Sequence, residues 1–377
     1  MKIFLSLLGI IAWAFGYAPA GPATQADKQE KQKPKASFMQ AISSRAWQFP
    51  ADHGQHPEFR TEWWYFTGNL QSEDGRAFGY QFTIFRNALT PAPANRASAW
   101  AFRDGYVAHF GITDIAQRKF YYDQKIARGA LQLAGASEDS LHAFVGDWSA
   151  RSAGNAWQLQ AASGFGSIAF VLEHTTPPIL HGKNGLAQKG PQPGEASYYY
   201  SLPNLKTTGQ LLLGSDSFRV SGVSWMDHEF FTGVEASDVA GWDWFSLHLS
   251  DSTAIMLYRL RRANGAISPF SAGTLIEADG QIRHISSDEF QALPEGWWQS
   301  KIMPESKYPL AWKLHFADYA LSVTTTVENQ ELDTRQTTGV IYWEGYVNVT
   351  GDKAGRAVTG RGYLEMTGYV ASARPRL

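Results

Sequence analysis

Cysteine is absent from this chain, which excludes disulfides, thiolate metal sites and a lipid-bearing cysteine. Charge is sparse: 18% of the 377 residues are Asp, Glu, Lys or Arg, the formal net charge is −2, and cations form no long run. That leaves no electrostatic footprint for nucleic acid, and none is expected as a partner. A G-x-x-x-x-G-K-[ST] phosphate loop, a G-x-G-x-x-G turn in a βαβ setting and the G-x-S-x-G elbow of serine hydrolases are missing as well. Long apolar runs are scarce. One, Ile3 to Phe15, follows Lys2 and precedes Ala18 and Ala20 in an A-x-A arrangement. It is shorter than the about 20 apolar residues of a spanning helix. It reads as a signal peptide over 1–20, and the mature protein is expected in the periplasm or secreted.

Residues 21–46 are polar, rich in Lys and Gln and broken by Pro22 and Pro34, so they read as a disordered tether. Beyond Trp47 the prevailing pattern is two-residue alternation, as in "YQFTIFR", "YYYSL" and "YALSVTTTVENQEL", between turn pairs such as the Asp-Gly of "SEDGR". Helical character is limited to segments such as Ser286–Leu293, where Ser and Asp are available as caps. The expected fold is all-β, with antiparallel strands closing their edges as sandwiches or barrels.

Two internal echoes suggest duplication. "EWWYFTGNL" (Glu62 to Leu70) aligns with "GWDWFSLHL" (Gly241 to Leu249), pairing Trp63 with Trp242 and Tyr65 with Trp244. "GVSWMDHE" (from Gly222) aligns with "GRGYLEMTG" (from Gly360), pairing Trp225 with Tyr363 and Asp227 with Glu365. Together they predict two related β domains, 47–235 and 236–377.

Period-two geometry places Trp225, Asp227 and Glu229 on one face of their strand and Met226, His228 and Phe230 on the other. A carboxyl beside tryptophan in an apolar domain invites a raised pKa and a role as proton donor. The alternative is structural: Asp227 and Glu229 pair with an arginine, such as Arg86 or Arg259, or accept hydrogen bonds at a strand end. In "GWDWFSLHL" both faces are apolar or aromatic, which fits a strand that separates a barrel core from a ligand cavity. Asp52, His53 and His56 lie in an HxxH loop whose spacing is too weak to predict a metal, and no metal or cofactor is expected.

With these residues in view, "FPADHGQHPEFRTEWWYFTGNL", "GVSWMDHEFFTG", "GWDWFSLHL" and "GRGYLEMTGY" resemble the AttH and carotenoid-hydratase family, which includes the hydroxyneurosporene synthases. The resemblance runs from about Trp47 to Tyr369. It implies two lipocalin-like antiparallel β-barrel domains packed together, usually exported, acting on long apolar molecules. Carried over, Asp227 is the candidate catalytic acid, with His228 and Trp225 beside it. The candidate ligand wall is Trp63, Trp64, Tyr65, Trp242, Trp244 and His248. Two functions stay open: a carotenoid 1,2-hydratase-like lyase, and a non-catalytic lipid or isoprenoid carrier working beside an ABC-type permease, with peripheral membrane contact. A secreted hydrolase is a third.

Overall fold

The computed structural model describes residues 37–92, 98–174, 176–233 and 238–372. The expected leader 1–20, the expected tether as far as residue 36 and the expected domain junction at 235/236 lie outside them. The alternating runs form strands, as aromatic and β-branched residues at period two favour. Thirteen strands between Thr61 and Phe231 make one antiparallel sheet, and ten between Val239 and Met366 make a second.

Each sheet curls into a barrel-like domain round its own core. Phe82, Phe110, Trp148 and Leu159 fill the first, and Phe245, Trp312, Leu314 and Trp343 fill the second. A third apolar cluster, including Tyr65, Trp225, Trp244 and Tyr363, lies between the barrels. From Ser37 onward the chain is one compact body.

The echoes reappear as register. The opening strand of the first sheet, Thr61–Ser72, pairs with its closing strand, Asp216–Phe231, and Val239–Leu249 pairs with Arg356–Met366 in the second. Tyr65 faces Asp227 across the first pair as Trp244 faces Glu365 across the second, and Leu70 faces Gly222 as Leu249 faces Gly360. A Cβ on Gly222 would lie 2.1 Å from the Asn69 carbonyl oxygen, and one on Gly360 would lie 2.3 Å from that of His248. The same backbone approach demands glycine in both copies.

Two expectations are corrected. Ser286–Leu293 is not helical: one strand ends at Ser286, a turn follows, and the next strand starts at Phe290. The Glu289 carboxylate accepts hydrogen bonds from the Ser286 N–H and hydroxyl, so capping chemistry closes a turn instead of opening a helix. Among the described residues the only helical element is one 3-10 turn, Ala51–His53. Nor is the chain loose up to Ala46. Ala41 is buried, the Met39 N–H donates to the Glu58 carbonyl, and the Tyr198 hydroxyl donates to the Ser43 carbonyl.

Candidate active site

Alternation along the opening and closing strands decides where the site can form. Trp64, Phe66 and Met226 turn into the first barrel, while Trp63, Tyr65, Trp225, Asp227 and Glu229 turn toward the second. The second barrel returns Trp242, Trp244 and Glu365 from the equivalent faces. Between them lies a cavity of about 350 Å³. Its wall is largely aromatic, with Trp63, Tyr65, Phe85 and Tyr199 on one side and Trp242, Trp244, Tyr258 and Tyr342 on the other. Four carboxyl groups reach it, from Asp227, Glu229, Glu344 and Glu365, together with the Lys189 ammonium and the His109 imidazole, which burial lowers to about 3 and keeps neutral.

Asp227 is 4% exposed. One carboxylate oxygen accepts hydrogen bonds from the Trp225 indole N–H at 2.6 Å and from the Ser201 hydroxyl, and the other accepts from the Tyr199 hydroxyl. Tyr199 in turn accepts from the Trp244 indole at 3.0 Å. Burial pushes the Asp227 carboxyl up to about 7, against the three hydrogen bonds that hold it down, and the neighbouring Glu229 adds to the rise. Glu229 is tied to the Lys189 ammonium at 3.2 Å and to the Ser197 hydroxyl. Lys189 also lies 4.0 Å from the Tyr258 ring centroid.

Glu344 and Glu365 face each other directly across adjacent strands. Burial raises both, Glu365 to about 7 and Glu344 well above the ordinary range. The carboxylates of Asp227 and Glu229 add to the rise at Glu365, and Glu365 adds to that at Glu344. Two buried acids so placed disfavour each other's ionisation. The Trp242 indole donates to Glu365 at 2.9 Å. Glu344 and the Tyr65 hydroxyl interact with each other, but neither Glu344 Oε1 nor that hydroxyl makes a well-aligned hydrogen bond to any described residue.

Of the residues expected from sequence, Asp227, Trp63, Tyr65, Trp242 and Trp244 meet at this cavity, and Trp225 supports Asp227 from behind. Three do not. Trp64 points into the first barrel, stacks on His228 and donates to the His53 carbonyl. His228, one residue from Asp227, faces the same way as Trp64, so period two removes it from the reacting side. His248 donates to the Pro203 carbonyl and lines a separate polar cleft with Asn69 and Arg361. The arginine half of the structural alternative fails, because Arg86 binds Glu62 and Asp104 while Arg259 binds Asp243, but its other half is present: Asp227 accepts three hydrogen bonds, and Glu229 pairs with Lys189.

His228 belongs to a buried network at one end of the first barrel. Its Nε2 donates to Glu62 at 2.8 Å, and Glu62 also bonds His56 Nδ1 at 2.7 Å and Arg86 Nε at 2.9 Å. Burial alone would lower His56, but Asp52 and Glu62 at its two nitrogens outweigh it and raise the imidazole. His56, Glu62 and His228 offer ligand atoms within 4.8 Å of one another, a grouping of metal-binding size. Each of those atoms already holds a hydrogen bond, and Arg86 sits on the carboxylate, so the trio is satisfied as it stands.

Sequence reasoning missed Glu344, Lys189, Tyr199 and Ser201. The last two were within reach: "YYYSL" places Tyr199 and Ser201 on one face of a strand that pairs Ser201 with Asp227.

Two filled β barrels with an acid-bearing, aromatic-walled cavity between them define a lipocalin-like double-barrel protein. The AttH-like family model matches residues 40–369, and the chain belongs to that family. The crystal structure of an AttH protein from Nitrosomonas europaea superposes with a TM-score of 0.79 at 32% identity, over 88% of this chain and 100% of that one. Kievitone hydratase from Nectria haematococca superposes with a TM-score of 0.66 at 15% identity, over 89% of this chain and 97% of its own, a likeness of fold. None of the curated proteins matches the chain.

Proposed function

We propose that this protein adds water across a carbon–carbon double bond of an apolar, isoprenoid-type ligand, with Asp227 as the acid. One observation carries the reading: a buried carboxyl, raised to about 7, turned into a cavity walled by tryptophan and tyrosine. Proton donation from Asp227 to a trisubstituted alkene breaks the π bond, forms a C–H bond and leaves a tertiary cation. The faces of Trp63, Trp242 and Trp244 stabilise that cation. Water then forms the C–O bond and gives its extra proton to the Glu344–Glu365 pair, beside which Glu344 Oε1 and the Tyr65 hydroxyl are available to hold it. The balance is alkene plus water to tertiary alcohol once the pair releases that proton to solvent and Asp227 takes one up, with no cofactor consumed. A cavity of about 350 Å³ fits the reacting end of a longer molecule. A hydratase among the proteins of the same fold supports the reaction class.

The test is incubation with acyclic isoprenoids and mass analysis for a product heavier by one water. No such product from any acyclic polyene would overturn the reading. The pH profile checks the role of Asp227 separately. Because the acid form is required, kcat/KM should be level below pH 7 and fall about tenfold per unit above it. A rate that climbs above pH 7 would assign Asp227 to base chemistry instead.

A second reading, a ligand carrier, is favoured by how the cavity wall continues outward. Trp63, Phe85, Val107 and Ile126 form one cross-strand row, and Ile126 at its end is exposed. Such an apolar ramp suits transfer to a membrane or a permease, and the apolar run at Ile3–Phe15 suits export. Uptake of isoprenoid without product would favour this reading over hydration.

A further inference from the structure

Behind Asp227, away from the cavity, a line of hydrogen-bonding side chains crosses from one barrel to the other and ends at the surface. Ser201 sits directly opposite Asp227 on the neighbouring strand and bonds its carboxylate. The Ser201 hydroxyl also meets His181 Nε2 at 2.6 Å. On its other side, His181 Nδ1 meets the Thr274 hydroxyl at 2.8 Å, and that hydroxyl lies 3.4 Å from His284 Nδ1. Thr274 and His284 are direct cross-strand partners in the second barrel. Asp227, Ser201, His181 and Thr274 are buried, whereas His284 is exposed.

We propose that Ser201, His181, Thr274 and His284 form a proton relay that returns a proton from solvent to Asp227 after each turnover. It rests on the acid role given to Asp227 above. The need for it follows from the cavity. Once an apolar ligand occupies the space in front of Asp227, bulk water is excluded there apart from the reacting molecule beside Glu344 and Glu365, and the carboxylate left by proton donation has no solvent route past the ligand on that side. The line behind it does not pass through the ligand site.

The transfer balances without a buried cation. Ser201 gives its hydroxyl proton to Asp227 and receives the Nε2 proton of His181. His181 Nδ1 receives the Thr274 proton, and Thr274 is replenished from His284, which exchanges with water. His181 stays neutral and only changes tautomer. That suits its setting, since burial and the nearby His284 and Lys189 hold its imidazole well below the ordinary range. The reset requires rotation of both hydroxyls and of the imidazole. His181 therefore acts through Asp227 and is a positioning and relay residue.

The experiment follows hydrogen–deuterium exchange at the protonated Asp227 carboxyl by rapid-mixing infrared spectroscopy on the full chain with the cavity filled by a saturated isoprenoid, squalane, the band being assigned by its loss in Asp227→Asn. Thr274→Val, nearly isosteric, cuts the line in the middle, and His284→Ala cuts it at the surface. Each should slow exchange by about a hundredfold, the low end of what a positioned proton-transfer group contributes. His181→Ala should do the same, with added imidazole restoring the rate. Unfolding midpoints of Thr274→Val and His284→Ala identify any loss of structure. Folded variants that exchange at the wild-type rate would overturn the relay. Slowed exchange in a protein that yields no hydrated product would keep the relay and remove hydration.

Discussion

Asp227→Asn is expected to remove product formation while leaving ligand uptake intact, with a loss of about 100-fold to 10,000-fold in kcat. The amide keeps the size of the carboxyl, and its oxygen still accepts from Trp225 and Ser201, so the cavity keeps its shape. It has no proton to give to carbon. The same substitution has a signature in stability. A carboxyl whose folded pKa is raised from 3.8 to about 7 contributes stability that is fully present below the unfolded pKa and is lost as pH rises through the folded one. Wild type should therefore lose about 2 to 3 kcal/mol relative to Asp227→Asn between pH 5 and pH 8. Urea unfolding of both proteins at the two pH values reads this directly. Equal shifts in the two would mean that Asp227 titrates normally and is no acid at neutrality.

Much of the fold was legible because period two leaves a clear trace where each face of a strand has its own neighbour. "GWDWFSLHL" is apolar on both faces since Phe245 and Leu247 fill a barrel while Trp242 and Trp244 wall the cavity. The same alternation separated Asp227 from His228. The echoes went further, because aligning Asp227 with Glu365 picks out two acids at equivalent registers on either side of one cavity. What stayed hidden was set by barrel-to-barrel packing. Glu344 becomes a partner of Glu365 only through a strand pairing with no local signal, and His181 joins Thr274 across 93 positions of chain. The Ser286–Leu293 reading failed for a different reason: a Ser and a Glu three residues apart satisfy each other equally well in a turn, and Phe290 and Ala292 then alternate inward as a strand.

Arg86→Met is the substitution expected to cost most in stability, about 3 to 5 kcal/mol, since it removes one partner of a fully buried ion pair. The Arg86 side chain is 0% exposed and makes no contact with the cavity. Its Nε donates to Glu62 at 2.9 Å, Nη1 to Asp104 at 2.9 Å, and Nη2 to the carbonyls of His56 and Phe59 at 2.8 and 2.9 Å. These bonds join the opening strand, its neighbour and the preceding loop in one knot. Methionine fills much of the volume but leaves Glu62 charged and buried, held only by His56 and His228. Burial would raise the Glu62 carboxyl, and the guanidinium leads the interactions that hold it well below its ordinary value. With that cation gone, the folded-state pKa of Glu62 rises, so wild type loses stability as pH falls through the depressed value while the variant loses less, and the stability gap between them should narrow toward acid. Arg86→Lys should recover only part of the loss, because a single ammonium cannot reach two carboxylates and two carbonyls at once. Urea denaturation of the three proteins at pH 7 gives the ranking. A Met variant as stable as wild type would mean that the loop carrying His56 and Phe59 is held by its aromatic packing on Phe230 and Tyr198 and not by the charged knot.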